Sequence, residues 1–267
     1  MVRAIVAGAS GRMGKRIINA IMDTEGIILS GAFERPDHPD VGKDAGVVAG
    51  MAELGIEIRP SLGDVIDKGD VVIDFTVPEA TYSNIKLVSK KGLAIVIGTT
   101  GFTEGMLNEI RDMTRAISCV MAPNMSIGVN VMFKIAAELG RLLDEEYDIE
   151  ILELHHRFKK DAPSGTALRL AQILADIRGR DLDKASIYGR RGITGERKRG
   201  EIGIHAVRAG DITGEHTVIF GGIGERIELT HKAHSRDNFA RGAVRAALWI
   251  VNQPAGLYDM QDVLGLK

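Results

Sequence analysis

The first half of the chain alternates short, continuously apolar runs with longer stretches of helical periodicity. Five apolar runs are enriched in β-branched residues and lie at residues 2–8, 27–34, 71–76, 94–99 and 118–122. Amphipathic stretches separate several of them, at residues 13–22, 79–90 and 104–115. Apolar strands that alternate with helices are typical of a parallel sheet covered on both faces. Because crossovers between parallel strands are right-handed, the pattern predicts an α/β domain with a doubly wound, Rossmann-type sheet.

The order of elements changes from Ile127 onward. Helical stretches lie at residues 127–143 and 166–178, and strand-like runs lie at residues 148–156, 201–209, 216–221 and 226–234. The short turns between the last three runs predict an antiparallel meander, and so a second, α+β domain with a mixed, largely antiparallel sheet. A final amphipathic helix at residues 238–251 could belong to either domain. Residues 35–59, rich in Gly, Pro and Asp, are expected to be irregular.

The composition restricts the classes of function. The formal net charge is −2, which argues against a general nucleic-acid-binding protein, since such proteins are basic overall. The single cysteine, Cys119, allows no intrachain disulfide. No apolar run reaches the length of a transmembrane helix, and nothing in the pattern demands a metal ion. We therefore expect a cytoplasmic protein that acts on a small molecule, with neither nucleic acid nor membrane as partner.

A glycine-rich turn joins the first strand to the first helix. It consists of Gly8, Ala9, Ser10, Gly11, Arg12, Met13 and Gly14. Such a turn lets the backbone approach a pyrophosphate at a helix N-terminus, although the GxxGxxG spacing is weak by itself. Glu34 ends the second strand, where an acidic side chain can accept the adenosine ribose hydroxyls. Arg35 could face a 2′-phosphate or simply be solvated, so the turn predicts dinucleotide binding with both NADH and NADPH open.

Two further loops follow predicted strands at the edge where such a sheet binds its ligand. The first consists of Gly98, Thr99, Thr100 and Gly101, and the second of Ala122, Pro123, Asn124 and Met125. Small residues and backbone amides in these loops could line the nicotinamide and its ribose. Ordinary turns between strands and helices would have the same composition, so the glycine-rich turn is what favours cofactor contact.

The segment ELHHRFKKDAPSGTA, residues 153–167, combines protonatable and cationic side chains with a helix start. Ser164, Gly165 and Thr166 open the helix, and a hydroxyl there is explained by capping alone. A helix N-terminus also attracts anions, and His156, Arg157 and Lys159 precede it on one short loop. His155, His156 or Lys159 could donate a proton. The segment therefore predicts an acid catalyst beside a carboxylate-binding site.

The same segment resembles the signature of the dihydrodipicolinate (4-hydroxy-tetrahydrodipicolinate) reductase family of lysine biosynthesis. The resemblance covers essentially the whole chain. Other matching motifs are VAGASGRMG at 6–14, DFTVPEA at 74–80, IGTTGF at 97–102, APNMSIGVNV at 122–131, EIGIHAVRAGDITGEHTV at 201–218 and LTHKAHSRDNFARGA at 229–243. It implies that a nicotinamide cofactor transfers a hydride to a cyclic dicarboxylate, and that the product of this step is then protonated.

The resemblance also implies roles for individual residues. His155 matches the catalytic acid/base and Lys159 the proton donor. Carboxylate-binding positions are matched by His156, Lys159, Ser164, Gly165 and Thr166. Cofactor-binding positions are matched by Gly8 to Met13, Glu34, Arg35, Gly98 to Thr100 and Ala122 to Met125, with Arg236 and Phe239 as further contacts.

The family architecture implies a domain division and an assembly. Residues 1–126, rejoined by 237–267, would bind the dinucleotide, and residues 127–236 would bind the substrate and form a homotetramer. Two alternatives stay open on the residues alone: a related amino-acid or semialdehyde dehydrogenase, and a redox sensor that binds the dinucleotide without turnover. Residues 189–200 are either a solvated loop or part of a subunit interface.

Overall fold

The computed structural model describes all 267 residues, and its elements are numbered here along the chain. The strands are β1 Val2–Ala7, β2 Ile27–Phe33, β3 Ile58–Arg59, β4 Val71–Asp74, β5 Ala94–Ile97, β6 Ser118–Met121, β7 Asp148–His155, β8 Ser186–Tyr188, β9 Ile202–Arg208, β10 Gly214–Gly221, β11 Arg226–Ala233 and β12 Gly256–Tyr258. The α-helices are α1 Arg12–Met22, α2 Ala45–Val48, α3 Pro78–Lys91, α4 Glu104–Met113, α5 Ile127–Leu142, α6 Gly165–Ile177, α7 Leu182–Ala185, α8 Asp237–Ile250 and α9 Met260–Leu264.

The chain forms two compact units. Unit 1 contains Met1–Ile127 and Arg236–Lys267, and unit 2 contains Gly128–Ser235. Unit 1 has a seven-stranded sheet in the order β12-β6-β5-β4-β1-β2-β3, in which every pair is parallel. Apolar side chains pack on both faces, with α1 and α8 on one side and α3 and α4 on the other. The predicted doubly wound sheet is confirmed, because its central strands are apolar on both sides.

The segment predicted to be irregular, residues 35–59, contains the short helix α2 and the edge strand β3. The carboxylate of Asp44 organises it by accepting backbone N–H groups at both ends of the α2 region, from Val47 at 3.1 Å and Ile56 at 3.0 Å. Burial by itself would raise the pKa of Asp44, but these backbone donors outweigh it and the pKa is lowered. An ionised side chain therefore takes the place of regular backbone pairing in this segment.

Unit 2 has a mixed, five-stranded sheet in the order β11-β10-β7-β9-β8. Two of its pairings are antiparallel, β7 with β10 and β10 with β11, whereas β9 runs parallel to both β7 and β8. Helices α5 and α6 bury one face of the sheet. The mixed sheet is confirmed, and so is the antiparallel pairing of the last two strands, β10 and β11. The first step of the predicted meander is wrong, because β7 lies between β9 and β10. The short connection from Arg208 to Gly214 therefore crosses the end of β7 instead of forming a hairpin.

None of the helices combines the length and the apolar composition that crossing a bilayer requires. No group of three or more His, Cys, Asp or Glu side chains is arranged to hold a metal ion.

Candidate active site

The glycine-rich turn of unit 1 brings the end of β1 directly onto the start of α1. Gly8 has a φ of +63°, a left-handed conformation that glycine adopts without cost. A Cβ at Gly14 would lie 2.1 Å from the carbonyl oxygen of Gly8, so only glycine allows α1 to pack this closely on the turn. Gly11 donates its N–H to the same carbonyl at 2.9 Å. The turn therefore leaves the N-terminus of α1 open to a ligand.

A cleft of about 710 Å³ opens beside this turn, at the carboxyl ends of β1, β2 and β4. The carboxylate of Glu34 lies at its wall, where it accepts the N–H of Ser10 at 3.2 Å and the N–H of Arg35 at 3.0 Å. The Arg35 guanidinium is exposed and lies 3.4 Å from Asp37. The structure thus brings the turn, the acidic residue and the arginine together in one cleft.

The contribution of β4 to this cleft was not predicted from the sequence. β4 pairs with β1, with Asp74 opposite Ala7, so Phe75, Thr76 and Val77 line the cleft beside the glycine-rich turn. The sheet order, which cannot be read from periodicity, decides this placement. The sequence did contain one sign of this contribution, the acidic residue Asp74 within the apolar run VVIDF.

Asp74 is fully buried and connects several of these loops. Its carboxylate accepts from Thr76 Oγ1 at 2.6 Å, from Thr81 Oγ1 at 2.9 Å and from Asn84 Nδ2 at 2.8 Å. Thr81 in turn shares a hydrogen bond of 2.8 Å with Thr99. The network ties the loop after β4 to α3 and to the loop after β5.

The other candidate loops of unit 1 lie further along the same edge of the sheet. Gly98 packs against Phe75 so closely that a Cβ there would lie 2.2 Å from the ring. Asn124 accepts the N–H of Ser126 through Oδ1 at 2.9 Å. The candidates Gly98, Thr99, Thr100, Ala122, Pro123, Asn124 and Met125 do not line the 710 Å³ cleft. They follow β5 and β6, the strands on the far side of β4 from β1.

A second cleft of unit 1, of about 640 Å³, follows the groove between α1 and α8. Its cationic lining residues are Arg12, Lys15, Arg16, Arg236 and Arg241. Phe239 lies in the first turn of α8, where its N–H bonds to the side chain of Asn238 at 2.9 Å. Arg12, the first residue of α1, adds positive charge next to the glycine-rich turn, which fits the pyrophosphate of a dinucleotide.

The predicted catalytic segment of unit 2 is built around a buried carboxylate, Glu153, whose side chain is 0% exposed. Oε1 accepts the N–H of Ser164 at 3.0 Å and Nη2 of Arg208 at 2.7 Å. Oε2 bonds to Nδ1 of His155 at 2.6 Å and accepts Nη1 of Arg208 at 2.8 Å. Burial alone would raise the pKa of Glu153, but the bonds from Arg208 and His155 outweigh it and lower the pKa. Glu153 is therefore ionised in the interior of unit 2.

His155 lies at the end of β7, between Glu153 and β10. Its Nδ1 faces Glu153, and its Nε2 lies beside Gly214, where an added Cβ would approach to 3.0 Å. Burial lowers the pKa of His155, and Glu153 opposes that shift. The ring of His216 lies 5.2 Å away, edge to face, and burial lowers the pKa of His216 to about 3. Near neutral pH His216 is therefore uncharged, whereas the downward shift in the pKa of His155 is opposed by the carboxylate that its Nδ1 faces.

The N-terminus of α6 lies next to this pair. Ser164 caps the helix by accepting the N–H of Ala167 at 3.2 Å, and its hydroxyl also bonds to Nε2 of His216 at 2.9 Å. Gly165 is exposed, and a Cβ there would meet nothing within 4 Å. The open space beside Gly165 and the positive end of the helix dipole suit a bound anion. Thr166 occupies the second position of the helix.

Lys159 and His156 lie on the loop between β7 and α6. The ammonium of Lys159, with its side chain 19% exposed, contacts both oxygens of Asp161 at 2.7 and 2.8 Å. His156 has a buried Nδ1 without a hydrogen-bond partner. The loop thus places a cation and an unsatisfied polar atom near the start of α6, which is typical of a polar binding site.

Comparison with known proteins covers both units. The profile of the family described as "Dihydrodipicolinate reductase, N-terminus" matches residues 2–125, and that described as "Dihydrodipicolinate reductase, C-terminus" matches residues 128–264. The 4-hydroxy-tetrahydrodipicolinate reductases of Syntrophus aciditrophicus (strain SB) and Pelobacter propionicus are 55% and 54% identical to this chain, with 100% of each chain covered. A solved structure, dipicolinate-bound dihydrodipicolinate reductase from Paenisporosarcina sp. TG-14, aligns with a TM-score of 0.77 at 28% identity over 98% of both chains.

Proposed function

We propose that this chain, which belongs to the dihydrodipicolinate reductase family, reduces 4-hydroxy-tetrahydrodipicolinate to tetrahydrodipicolinate in the cytoplasm, on the diaminopimelate route to lysine. Family membership makes it an NAD(P)H-dependent oxidoreductase. The observation that carries the substrate assignment is the buried Glu153–His155 pair beside the N-terminus of α6. This arrangement offers a proton and positive charge to a substrate that bears carboxylates.

The dinucleotide is assigned to unit 1. The turn from Gly8 to Met13 and the N-terminus of α1 would hold the pyrophosphate, and Glu34 would accept the adenosine ribose hydroxyls. Further contacts are assigned to Gly98, Thr99, Thr100, Ala122, Pro123, Asn124, Met125, Arg236 and Phe239. The bound nicotinamide would supply the hydride. Both NADH and NADPH are assigned as donors, because the cleft offers a carboxylate for ribose hydroxyls and an exposed arginine for a 2′-phosphate.

Replacement of Arg35 by alanine tests the assignment of NADPH. We expect KM for NADPH to rise about 10- to 100-fold, the effect of losing a hydrogen bond between charged groups, while KM for NADH changes little. Arg115→Ala is the matched control, since Arg115 is an exposed arginine of unit 1 that also pairs with an aspartate, Asp112. Equal changes in KM for both cofactors would contradict the role of Arg35.

The substrate is assigned to the site in unit 2. With Nδ1 of His155 bound to Glu153, Nε2 is the nitrogen that can exchange a proton with the substrate. Lys159 would act as a second donor and as a carboxylate partner, because a substrate carboxylate can replace the exposed Asp161 beside its ammonium. His156 and the residues Ser164, Gly165 and Thr166 would bind the remaining carboxylate at the N-terminus of α6.

A coupled assay tests the proposed function. Dihydrodipicolinate synthase would generate the unstable substrate from pyruvate and aspartate semialdehyde, and the absorbance of NADH or NADPH would be followed after this protein is added. Oxidation of the cofactor that depends on the synthase is expected. Reduction of NAD+ or NADP+ by aspartate semialdehyde in the presence of phosphate would instead favour the semialdehyde dehydrogenase. Cofactor binding without any oxidation would favour the redox sensor.

A homotetramer is proposed through the uncovered face of the sheet in unit 2. The side chains of Leu152, Leu154, Val207 and Ile219 alternate with the residues that α5 and α6 cover, and they remain partly or fully exposed. Sheet faces of this kind are stabilised by burial against a second copy. Residues 189–200 are assigned to a solvated loop that borders this face. Arg190 and Arg197 attach it to Glu150 at 3.0 and 3.1 Å.

The mass in solution tests the tetramer. Light scattering is expected to give about four times the 28.8 kDa of one chain. Ile219→Lys should shift the protein to smaller species, because it places a charge on the proposed contact face. Val47→Lys, at an exposed apolar position in unit 1, should leave the mass unchanged. A monomeric wild-type protein would refute the assembly.

A further inference from the structure

We propose that Glu153 is a positioning residue that keeps a proton on Nδ1 of His155 and thereby reserves Nε2 for the substrate, with Arg208 holding the carboxylate in place. This inference rests on the proposed function of His155, and it gives a role to Glu153, the first residue of the segment ELHHRFKKDAPSGTA, to which no catalytic or binding role is assigned above.

The geometry leaves Glu153 no other orientation. Its two oxygens receive four hydrogen bonds, and the two from Arg208, at 2.7 and 2.8 Å, are parallel and bidentate. The N–H of Ser164 fixes the same carboxylate from the start of α6. A carboxylate accepts hydrogen bonds only, so the nitrogen of His155 that faces it, at 2.6 Å, must carry the hydrogen. Arg208 is itself anchored, because Nη2 also donates to the carbonyl of Asp161 at 2.7 Å.

The consequence is a defined path for one proton. When Nε2 gives its proton to the substrate, the imidazolium becomes a neutral ring that retains its hydrogen on Nδ1, where Glu153 accepts it. A proton from solvent then returns to Nε2, the nitrogen that carries no hydrogen, and restores the imidazolium for the next cycle. Without this partner the neutral ring would distribute its hydrogen over both nitrogens, and the returning proton would not be confined to Nε2.

The charged groups around His155 come from every element that packs against it. Glu153 lies on β7, Lys159 on the following loop, Arg208 on β9 and His216 on β10. Burial lowers the pKa of His155, Lys159 and Arg208 add to that effect, and only Glu153 opposes it. Loss of the carboxylate alone therefore moves the pKa of His155 further down and makes the imidazolium scarcer at neutral pH.

A purely structural role for Glu153 is the alternative, and β7 carries a matched control for it. Glu150, three residues earlier on the opposite face of the sheet, is held by Arg190 at 3.0 Å and by Nε2 of His205 at 2.6 Å. Its surroundings, with burial opposed by these partners, lower its pKa to about 2. Glu150 thus reproduces the carboxylate, the arginine and the histidine of the Glu153 cluster away from His155.

The test uses two variants of the 267-residue chain. In Glu153→Met/Arg208→Met, apolar side chains replace the buried ion pair, a change that is often tolerated without loss of stability. Spectra of protein labelled with ¹⁵N in its seven histidines would report the tautomer, with His155 identified by its loss in His155→Gln. We expect His155 to hold its hydrogen on Nδ1 in the wild type and to populate Nε2–H in the double variant. Glu150→Met/Arg190→Met should leave the His155 signals unchanged.

The second variant, Glu153→Gln, is measured by its rate against pH. We expect kcat to fall on the order of 10- to 100-fold. The pH above which the rate declines should move to a lower value, and the affinity for NAD(P)H should stay unchanged. Wild-type signals for His155 in the double variant, or a pH profile of Glu153→Gln that matches wild type, would overturn the proposal. The spectra need no substrate, so they still test the role of Glu153 if the coupled assay shows that the proposed reaction does not occur.

Discussion

Replacement of His155 by glutamine is expected to lower kcat on the order of 10²- to 10⁴-fold, the usual contribution of a general acid. The affinity for NAD(P)H should not change, because the dinucleotide is assigned to unit 1 and His155 lies on β7 of unit 2. Glutamine can still bond to Glu153 but cannot exchange a proton near neutral pH. The coupled assay would give kcat, and quenching of intrinsic fluorescence would give the Kd for the cofactor.

His205→Gln is the control for this prediction. His205 is also held by a glutamate, with its Nε2 2.6 Å from Glu150, but it lies outside the proposed substrate site. Its replacement should leave kcat within a few-fold of wild type. If His155→Gln and His205→Gln had the same small effect, the proton donor would have to be sought elsewhere, and Lys159 would be the first candidate.

Replacement of Lys159 by alanine is expected to reduce kcat/KM on the order of 10³-fold or more, with kcat lowered and KM raised together. Two losses combine in this variant, a proton donor and a charge-assisted bond to a substrate carboxylate. The pair that Lys159 forms with Asp161 in the free protein shows that its ammonium binds a carboxylate at hydrogen-bond distance, 2.7 Å.

Lys159→Arg separates the two losses. Arginine keeps the positive charge but does not release its proton, so KM should return towards the wild-type value while kcat stays low. Lys160→Ala, at the exposed neighbouring position, should change neither parameter. Full recovery of kcat in Lys159→Arg would show that Lys159 acts through its charge alone.

Periodicity was sufficient for the first domain because its strands are buried on both faces. Runs such as Val71–Asp74 and Ala94–Ile97 are apolar throughout, and parallel pairing between helices is the arrangement that buries them. The edge strands β3 and β12 were not predicted, because a strand of two or three residues is too short to show periodicity. The second sheet was predicted less well, since a short connection such as that from Arg208 to Gly214 is compatible both with a hairpin and with a crossing over β7.

Local motifs predicted the chemical groups of the candidate site, since a glycine turn, a helix cap or a pair of histidines can be recognised within a few residues. Their partners come from distant parts of the chain. Arg208 reaches Glu153 because β9 pairs with β7, and Thr76 reaches Gly8 because β4 pairs with β1. The amino-acid pattern therefore decides which segments are strands, helices and ligand-binding turns, because burial and backbone preference act locally. Strand order, which depends on how whole faces pack, decides which carboxylate holds His155 and which side chains surround the cleft proposed for the cofactor.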